Sequence, residues 1–438
     1  MKSTYKIGFY TAVSLVIANM IGTGVFTSLG FQLIHIHSVF SILLLWVLGG
    51  IISYCGALVY GELGTAIPRS GGEYVYLSKL IHPSIGFLSG WVSSTVGFAA
   101  PVGLASIALG SYVHKIFPGI NTTACALSVV IIITMIHVTN LKLGSRFQKV
   151  VTFSKVAIIV LFITAGFIHH PADPGISILP QSFSWSEITS GYFAVSLIYV
   201  SYAYSGWNAA AYIVGEMNEP RKNLPKALLL GTLIVTVIYV LLNFVFLYSS
   251  PMPELSGVLE VGHVSASHIF GAAFGQLMSL VIAFLLISTI SAMIMAGPRI
   301  IKSMGEDLPM LGLLSKTNKN NIPYMAILSQ SFLTIVFILF FPFESLLTFV
   351  GFSLTIFTCL TVISLFVLRV KDKNTSGYKT WGYPVTPIIF LLFNGYILYN
   401  ALTEKPIESL YGLSNVLLGF AVWFIGYAYS KKKLQTVS

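Results

Sequence analysis

Two short runs of residues that disfavour helix lie inside otherwise apolar stretches, and both could bind a ligand through the main chain. The first is Gly22-Thr23-Gly24, in "ANMIGTGVFTS", with no charged residue between Ile7 and Ile34. The second is "YAYSGWNAA", which contains Tyr202, Ala203, Tyr204, Ser205, Gly206, Trp207 and Asn208. Glycine, serine and asparagine favour breaks over helix interiors. A helix broken in hydrocarbon strands N–H and C=O groups, at a cost of several kcal/mol unless something satisfies them. A half-helix restarting at Gly22–Val25 would aim free N–H groups and its positive end at a carboxylate. The half-helix ending near Met20 and Ile21, with the carbonyls of Tyr202 to Tyr204, would accept from an ammonium group. A zwitterionic amino acid would satisfy both ends without any charged side chain. The competing reading is that these glycines only let helices pack closely.

Lys155 is the third residue with chemical potential. It lies about ten residues into an apolar run, roughly 15 Å deep at 1.5 Å per residue, where a charge costs at least about 3 kcal/mol. No Asp or Glu occupies the middle of any apolar run to pair with it. The expected partners are carbonyls of the first break and hydroxyls of Ser288, Thr289 or Ser291. Snorkelling to the interface would have to span too great a depth. Two roles remain open. The ammonium can take the place of a bound sodium ion, or it can lose its proton on burial and act as a proton carrier.

Membrane helices are expected to carry all three. The 438 residues are 55% hydrophobic and 9% charged, against about 25% charged in soluble domains. Apolar windows of about 20 residues or more fall near 9–34, 40–66, 84–114, 123–141, 146–168, 190–214, 227–250, 271–298, 323–341, 345–369, 384–402 and 411–430. This predicts an all-α integral membrane protein of twelve transmembrane helices. With both termini in the cytoplasm, all Lys and Arg residues except Lys115, Lys405 and the buried Lys155 fall on the inside. That asymmetry sets the orientation in the cell membrane. It also accounts for the net charge of +10 through topology and contact with membrane lipid rather than nucleic acid.

The breaks then fall in spans 1 and 6, the positions expected of two inverted repeats with the binding site between them. The expected organisation is a first five-helix repeat at 1–169, with helix 1 broken at 21–24. A second repeat follows at 170–370, with helix 6 broken at 203–207, and two accessory helices at 371–438.

Taken together, "IGTGVF", "YGELGTAIPRSGGEYVYL", "YAYSGWN…GEMNEPRKNLPKAL" and "SMGEDLPMLGLL" resemble the amino acid–polyamine–organocation superfamily, and most of all its L-amino acid transporter branch. The resemblance covers about residues 8–370. It implies the LeuT-like five-plus-five inverted repeat with two added helices, and sodium-independent amino acid transport, often by exchange. It implies that Thr23 and Gly24 bind the substrate carboxylate and that the carbonyls of Met20 and Tyr202 take the ammonium. Ser205 and Asn208 belong to the second break, Lys155 matches the lysine of the fifth helix, and Tyr239 is carried over without an anchoring motif. Relatives for large substrates often have Gly where this chain has Ser205 and Phe where it has Tyr202. These departures favour small or medium neutral substrates. Animal members bond a glycoprotein partner through a cysteine that "KIFPGINTT" lacks, so no disulfide-linked heavy chain and a prokaryotic source are expected.

The remaining polar residues have plainer expectations. Glu62 and Glu73 are expected to pair with Arg69 or Lys79 at the interface, and Glu216 and Glu219 with Arg221 and Lys222. The histidines, His169-His170 included, read as interfacial, and Cys55, Cys125 and Cys359 as packing residues. Trp207 suits either a gate or the core. No nucleophile motif, metal-binding pattern or paired intramembrane carboxylate argues for an enzyme or a cofactor. No filter loop or acidic ring argues for a channel. Transport remains, as exchange or as proton-coupled symport.

Overall fold

The computed structural model describes residues 7–139, 144–168, 177–372 and 377–435. Lys2, Lys6, Lys142, Lys373, the His169-His170 pair and the expected repeat boundary at 169/170 lie outside the described residues, as do the side chains of Arg146, Lys149 and Lys431 to Lys433. The described residues are overwhelmingly helical, and their one β-type contact is a bridge between Ile7 and Met217.

The first apolar run forms α1 (Phe9–Met20) and α2 (Gly24–Gln32), separated by Ile21, Gly22 and Thr23. α3 (Val39–Ala66) is opened by Ser38, whose hydroxyl accepts from the Ser41 N–H at 3.3 Å, as an N-cap should. The short α4 (Glu73–Leu80) follows at the end of the bundle that carries Arg69 and Arg369, termed the basic end below. α5 (Pro83–Val92) and α6 (Ala99–Ile116) join through a π-helical turn at Ser93–Phe98. Next come α7 (Thr122–Thr139), α8 (Gly144–Ile168) and the short α9 (Ser184–Ile188). α10 (Gly191–Tyr204) stops at Ser205, and the chain resumes as a 3-10 segment at Ala209–Glu216. The remainder comprises α11 (Pro220–Ser249), α12 (Met252–Leu255), α13 (Val261–Phe270), α14 (Ala272–Asp307), α15 (Tyr324–Phe340), α16 (Phe343–Lys371), α17 (Val385–Glu404) and α18 (Pro406–Gln435).

Nine candidate spans are long and apolar enough to cross a membrane among the described residues, and Phe153–Ile168 and Tyr324–Phe340 are shorter apolar helices. The sixth window, 190–214, is not among these and is divided between the 14 residues of α10 and the 3-10 segment. α11 begins at Pro220 rather than near 227, and α14 continues to Asp307 rather than ending near 298. In both cases the helix outlasts the apolar window, since backbone hydrogen bonding does not stop where charged residues begin.

α10 is enclosed by α2, α3, α16 and α17, while α1 packs on α11 and the 3-10 segment. Trp46, Tyr60, Tyr204 and Tyr239 are fully buried at this centre. Ile132, Met135, Phe153, Leu161, Phe332 and Phe340 face outward and exposed, as a lipid-facing perimeter requires. The family of helices is therefore a multi-pass membrane bundle with two interrupted elements at its core.

Candidate functional site

The two interruptions cross at backbone contact. A Cβ on Gly24 would lie 2.6 Å from the Ala203 Cα, so only glycine lets the start of α2 meet the end of α10. Gly206 has φ +99°, a left-handed value that suits glycine, and a Cβ there would meet the Asn19 carbonyl at 2.8 Å. Close packing is thus a real role for Gly24 and Gly206. Gly22 differs, because a Cβ there would find nothing nearer than the Met20 carbonyl at 3.9 Å and the Thr289 methyl at 4.0 Å.

Side chains stitch the crossing together. The Thr23 and Tyr202 hydroxyls lie 3.2 Å apart. The Tyr239 hydroxyl donates to the Met20 carbonyl at 2.6 Å and also lies 3.1 Å from the Ala203 carbonyl. One phenol therefore caps the ends of both half-helices, where carbonyls have no helical partner. α10 remains helical through Tyr204, and the Tyr202 carbonyl accepts from the Ser205 N–H at 2.9 Å. The break thus begins at Ser205 rather than at Ala203, and two of the carbonyls expected to be free each keep only one spare lone pair. The Tyr204 hydroxyl is committed to the Trp46 carbonyl at 2.9 Å.

Met20, Ile21, Thr23, Gly24, Tyr202, Ala203, Tyr204 and Tyr239 are buried, whereas Gly22, Ser205, Gly206 and Asn208 stay partly accessible. The first N–H groups of α2 have no acceptor within their own helix. The crossing thus offers N–H donors from one side and spare carbonyl lone pairs from the other.

Lys155 is only 4% exposed and reaches this crossing. Its ammonium donates to the Thr289 hydroxyl at 2.7 Å and to the Ile21 carbonyl at 3.4 Å. It ties α8 to the first break and to α14, and it does not snorkel. Ser288 is buried on the same helix. Ser291 does not serve Lys155, because its hydroxyl lies 2.8 Å from Nε2 of His137. His137 is itself 3% exposed, so it is a core residue rather than an interfacial one.

The acidic residues also depart from expectation. Glu62 pairs with Arg369 at 2.7 Å and with Lys379 at 3.9 Å, and accepts from the Thr380 N–H at 2.7 Å. Neither Arg69 nor Lys79 is its partner, because α16 and the segment after it return to the basic end beside α3. Glu73 makes no ion pair among the described residues, and its partners are neutral. It accepts from the Tyr60 hydroxyl at 2.6 Å and from the Asn208 amide at 3.0 Å. Burial pushes its carboxyl up to about 7, against the pull of those two hydrogen bonds. Glu219 does pair locally, with Lys222 at 3.9 Å. Trp207 packs edge-on against Tyr60 with ring centroids 4.7 Å apart, which makes it a core aromatic directly below the second break. Sequence reasoning missed Tyr60, and the only available signal was a tyrosine followed by Glu62 in an otherwise apolar helix.

A helical membrane bundle with two crossing breaks and main-chain groups turned into the crossing is the architecture of a solute transporter. The chain belongs to the amino acid permease family, whose sequence profile matches residues 7–425, within the amino acid–polyamine–organocation superfamily and among its L-amino acid transporters. It is 29% identical to the serine/threonine exchanger SteT of Bacillus subtilis (strain 168), covering 98% of this chain and 97% of that one. It is 27% identical to the mouse b(0,+)-type amino acid transporter 1, over 99% of this chain and 90% of the relative. The mouse Asc-type amino acid transporter 1 is also 27% identical, over 98% and 82%. The protein is an amino acid transporter and not an enzyme.

Proposed function

We propose that the protein exchanges small or medium neutral L-amino acids across the cell membrane, without sodium, by alternating access around the two broken helices. The observation that carries this is the crossing of Gly24 on Ala203 and Gly206 on Asn19, which brings main-chain donors and acceptors of both breaks together. The substrate carboxylate sits on the N–H groups at Thr23 and Gly24, and its ammonium takes the spare lone pairs at Met20, Ile21 and Tyr202. Asn208, Ser205 and Tyr202 bound the side-chain pocket and keep it small and polar. The name of the serine/threonine exchanger supports the exchange mode and a small neutral substrate, and that of the Asc-type amino acid transporter supports an amino acid as the cargo.

Lys155 takes the place of a sodium ion in this reading. Its contacts with Ile21 and Thr289 join the first break to α14 by a charge-assisted tie. The twelve-span, five-plus-five inverted arrangement, with both termini cytoplasmic, supplies the two halves that rock around the site. The basic end then faces the cytoplasm, and no disulfide-linked partner is required.

Counterflow tests the proposal. Proteoliposomes loaded with labelled serine should release it quickly when unlabelled serine or alanine is outside and slowly into buffer alone. Equal release in both cases would count against exchange.

A further inference from the structure

We propose that Glu73 is a proton-binding site that holds the gate at the basic end shut while its carboxyl is protonated. The inference rests on the alternating-access reading given above.

The 3-10 segment at Ala209–Glu216 lies between the second break and the basic end, so a ligand leaving that way must displace it. The segment is held from two sides. The Gly71 N–H donates to the Tyr212 carbonyl at 3.2 Å, and the Gly215 N–H donates to the Ser70 hydroxyl at 3.1 Å. The Ile7 N–H donates to the Glu216 carbonyl at 2.8 Å, and the Asn218 N–H to the Ile7 carbonyl at 2.9 Å. Glu73 lies at the heart of the first of these clasps. Its Oε1 accepts from Asn208 at the entrance to the segment and from Tyr60 of α3, so three elements meet on one carboxylate oxygen.

The surroundings of Glu73 favour its neutral form. Tyr60 faces it from α3, Tyr212 and Asn208 from the 3-10 side, and Tyr76 from its own helix. From α16 comes Thr361, hydrogen-bonded to Tyr60. The residues of α5, Pro83–Val92, carry no charge. Arg369 and Lys379, on the nearest basic elements, engage Glu62. A carboxylate buried against phenols and amides, without a cation, is costly. Opening the clasp admits water, and the O–H bond of Glu73 then breaks, the proton passing to that water and the electron pair staying on the carboxylate. Closure takes the proton back.

The sign follows from linkage. The closed gate holds the carboxyl near 7 instead of its ordinary 4.5, so between those values the closed state binds more protons than the open one. Acid on the cytoplasmic side shuts the gate and neutral or alkaline conditions free it. Each opening sheds one proton and each closing recovers it, which leaves exchange itself without net proton movement.

Glu73→Gln keeps an acceptor for Tyr60 and Asn208 and removes the titration. In proteoliposomes, wild-type exchange should fall by up to about tenfold per pH unit on the acid side of its midpoint, as one titrating proton requires. Glu73→Gln should be flat there and run at the acid rate of the wild type. Tyr60→Phe removes a donor that favours the carboxylate, so its midpoint should move up. Melting temperature supplies a readout independent of transport: that of the wild type should fall as pH rises through 7, and that of Glu73→Gln should not share this fall. Parallel rate and melting profiles for wild type and Glu73→Gln, or an unmoved midpoint in Tyr60→Phe, would overturn the inference. Absence of exchange at every pH, with the melting difference intact, would sink the transport reading while supporting the proton site.

Discussion

The Tyr239 hydroxyl lies 2.6 Å from the Met20 carbonyl, at the point where the first helix stops. The same hydroxyl is 3.1 Å from the Ala203 carbonyl at the end of α10, so a residue of α11 fixes the spacing of the two breaks. Tyr239→Phe leaves both carbonyls in a buried crossing without that donor. An unsatisfied buried polar group costs about 1–3 kcal/mol, so the variant should unfold measurably earlier and bind substrate about tenfold more weakly. Thermal melting with and without substrate checks both. A variant that melts and binds as the wild type does would show that Tyr239 does not hold the crossing.

The two glycines of the first break should respond differently to alanine. Gly24→Ala drives a methyl to 2.6 Å from backbone, which side-chain motion cannot relieve, and overpacking of this kind costs about 1–3 kcal/mol. Gly22→Ala meets only ordinary contacts at 3.9 and 4.0 Å. It should fold normally but weaken substrate binding, because its methyl would stand beside the N–H groups proposed for the carboxylate. Stability and binding measured on both variants separate packing from recognition. If Gly22→Ala binds normally, the ligand does not use this part of the break.

What the sequence made legible here was local chemistry. A Gly-Thr-Gly run in an uncharged stretch is an interruption by composition, and the structure stops α1 at Met20 and restarts at Gly24. Lys155 stood out by its depth alone. The partners of side chains were harder to read, because they depend on which distant segments return to the same end. Glu62 meets Arg369 across 307 residues of chain, and Glu73 meets Asn208 across 135. Nearby Arg69 and Lys79 were the natural choice by proximity, and tertiary packing overrode it. Ser291 looked equivalent to Thr289 on α14, yet two residues of helix turn its hydroxyl to His137.

Lys155 sets a separate expectation. Removing the ammonium leaves the Thr289 hydroxyl and the Ile21 carbonyl without the donor at 2.7 and 3.4 Å. A hydrogen bond from a charged group contributes about 1.5–3 kcal/mol, so Lys155→Ala should lower exchange by roughly tenfold to a hundredfold. Wild-type uptake should be the same in sodium and in choline media. Strict sodium dependence, or full activity of Lys155→Ala, would remove the lysine from the mechanism.

The central claim is that the crossing of the broken helices recognises an amino acid by its ammonium and its carboxylate through main-chain groups. The most direct measurement is the ligand-induced rise in melting temperature of the purified protein, since binding to the folded state raises apparent stability. L-alanine, L-alaninamide and ethylamine compare the zwitterion with its amide and with the decarboxylated amine. L-alanine should protect the fold and the other two should do so only slightly. Equal protection by alanine and its amide would contradict it.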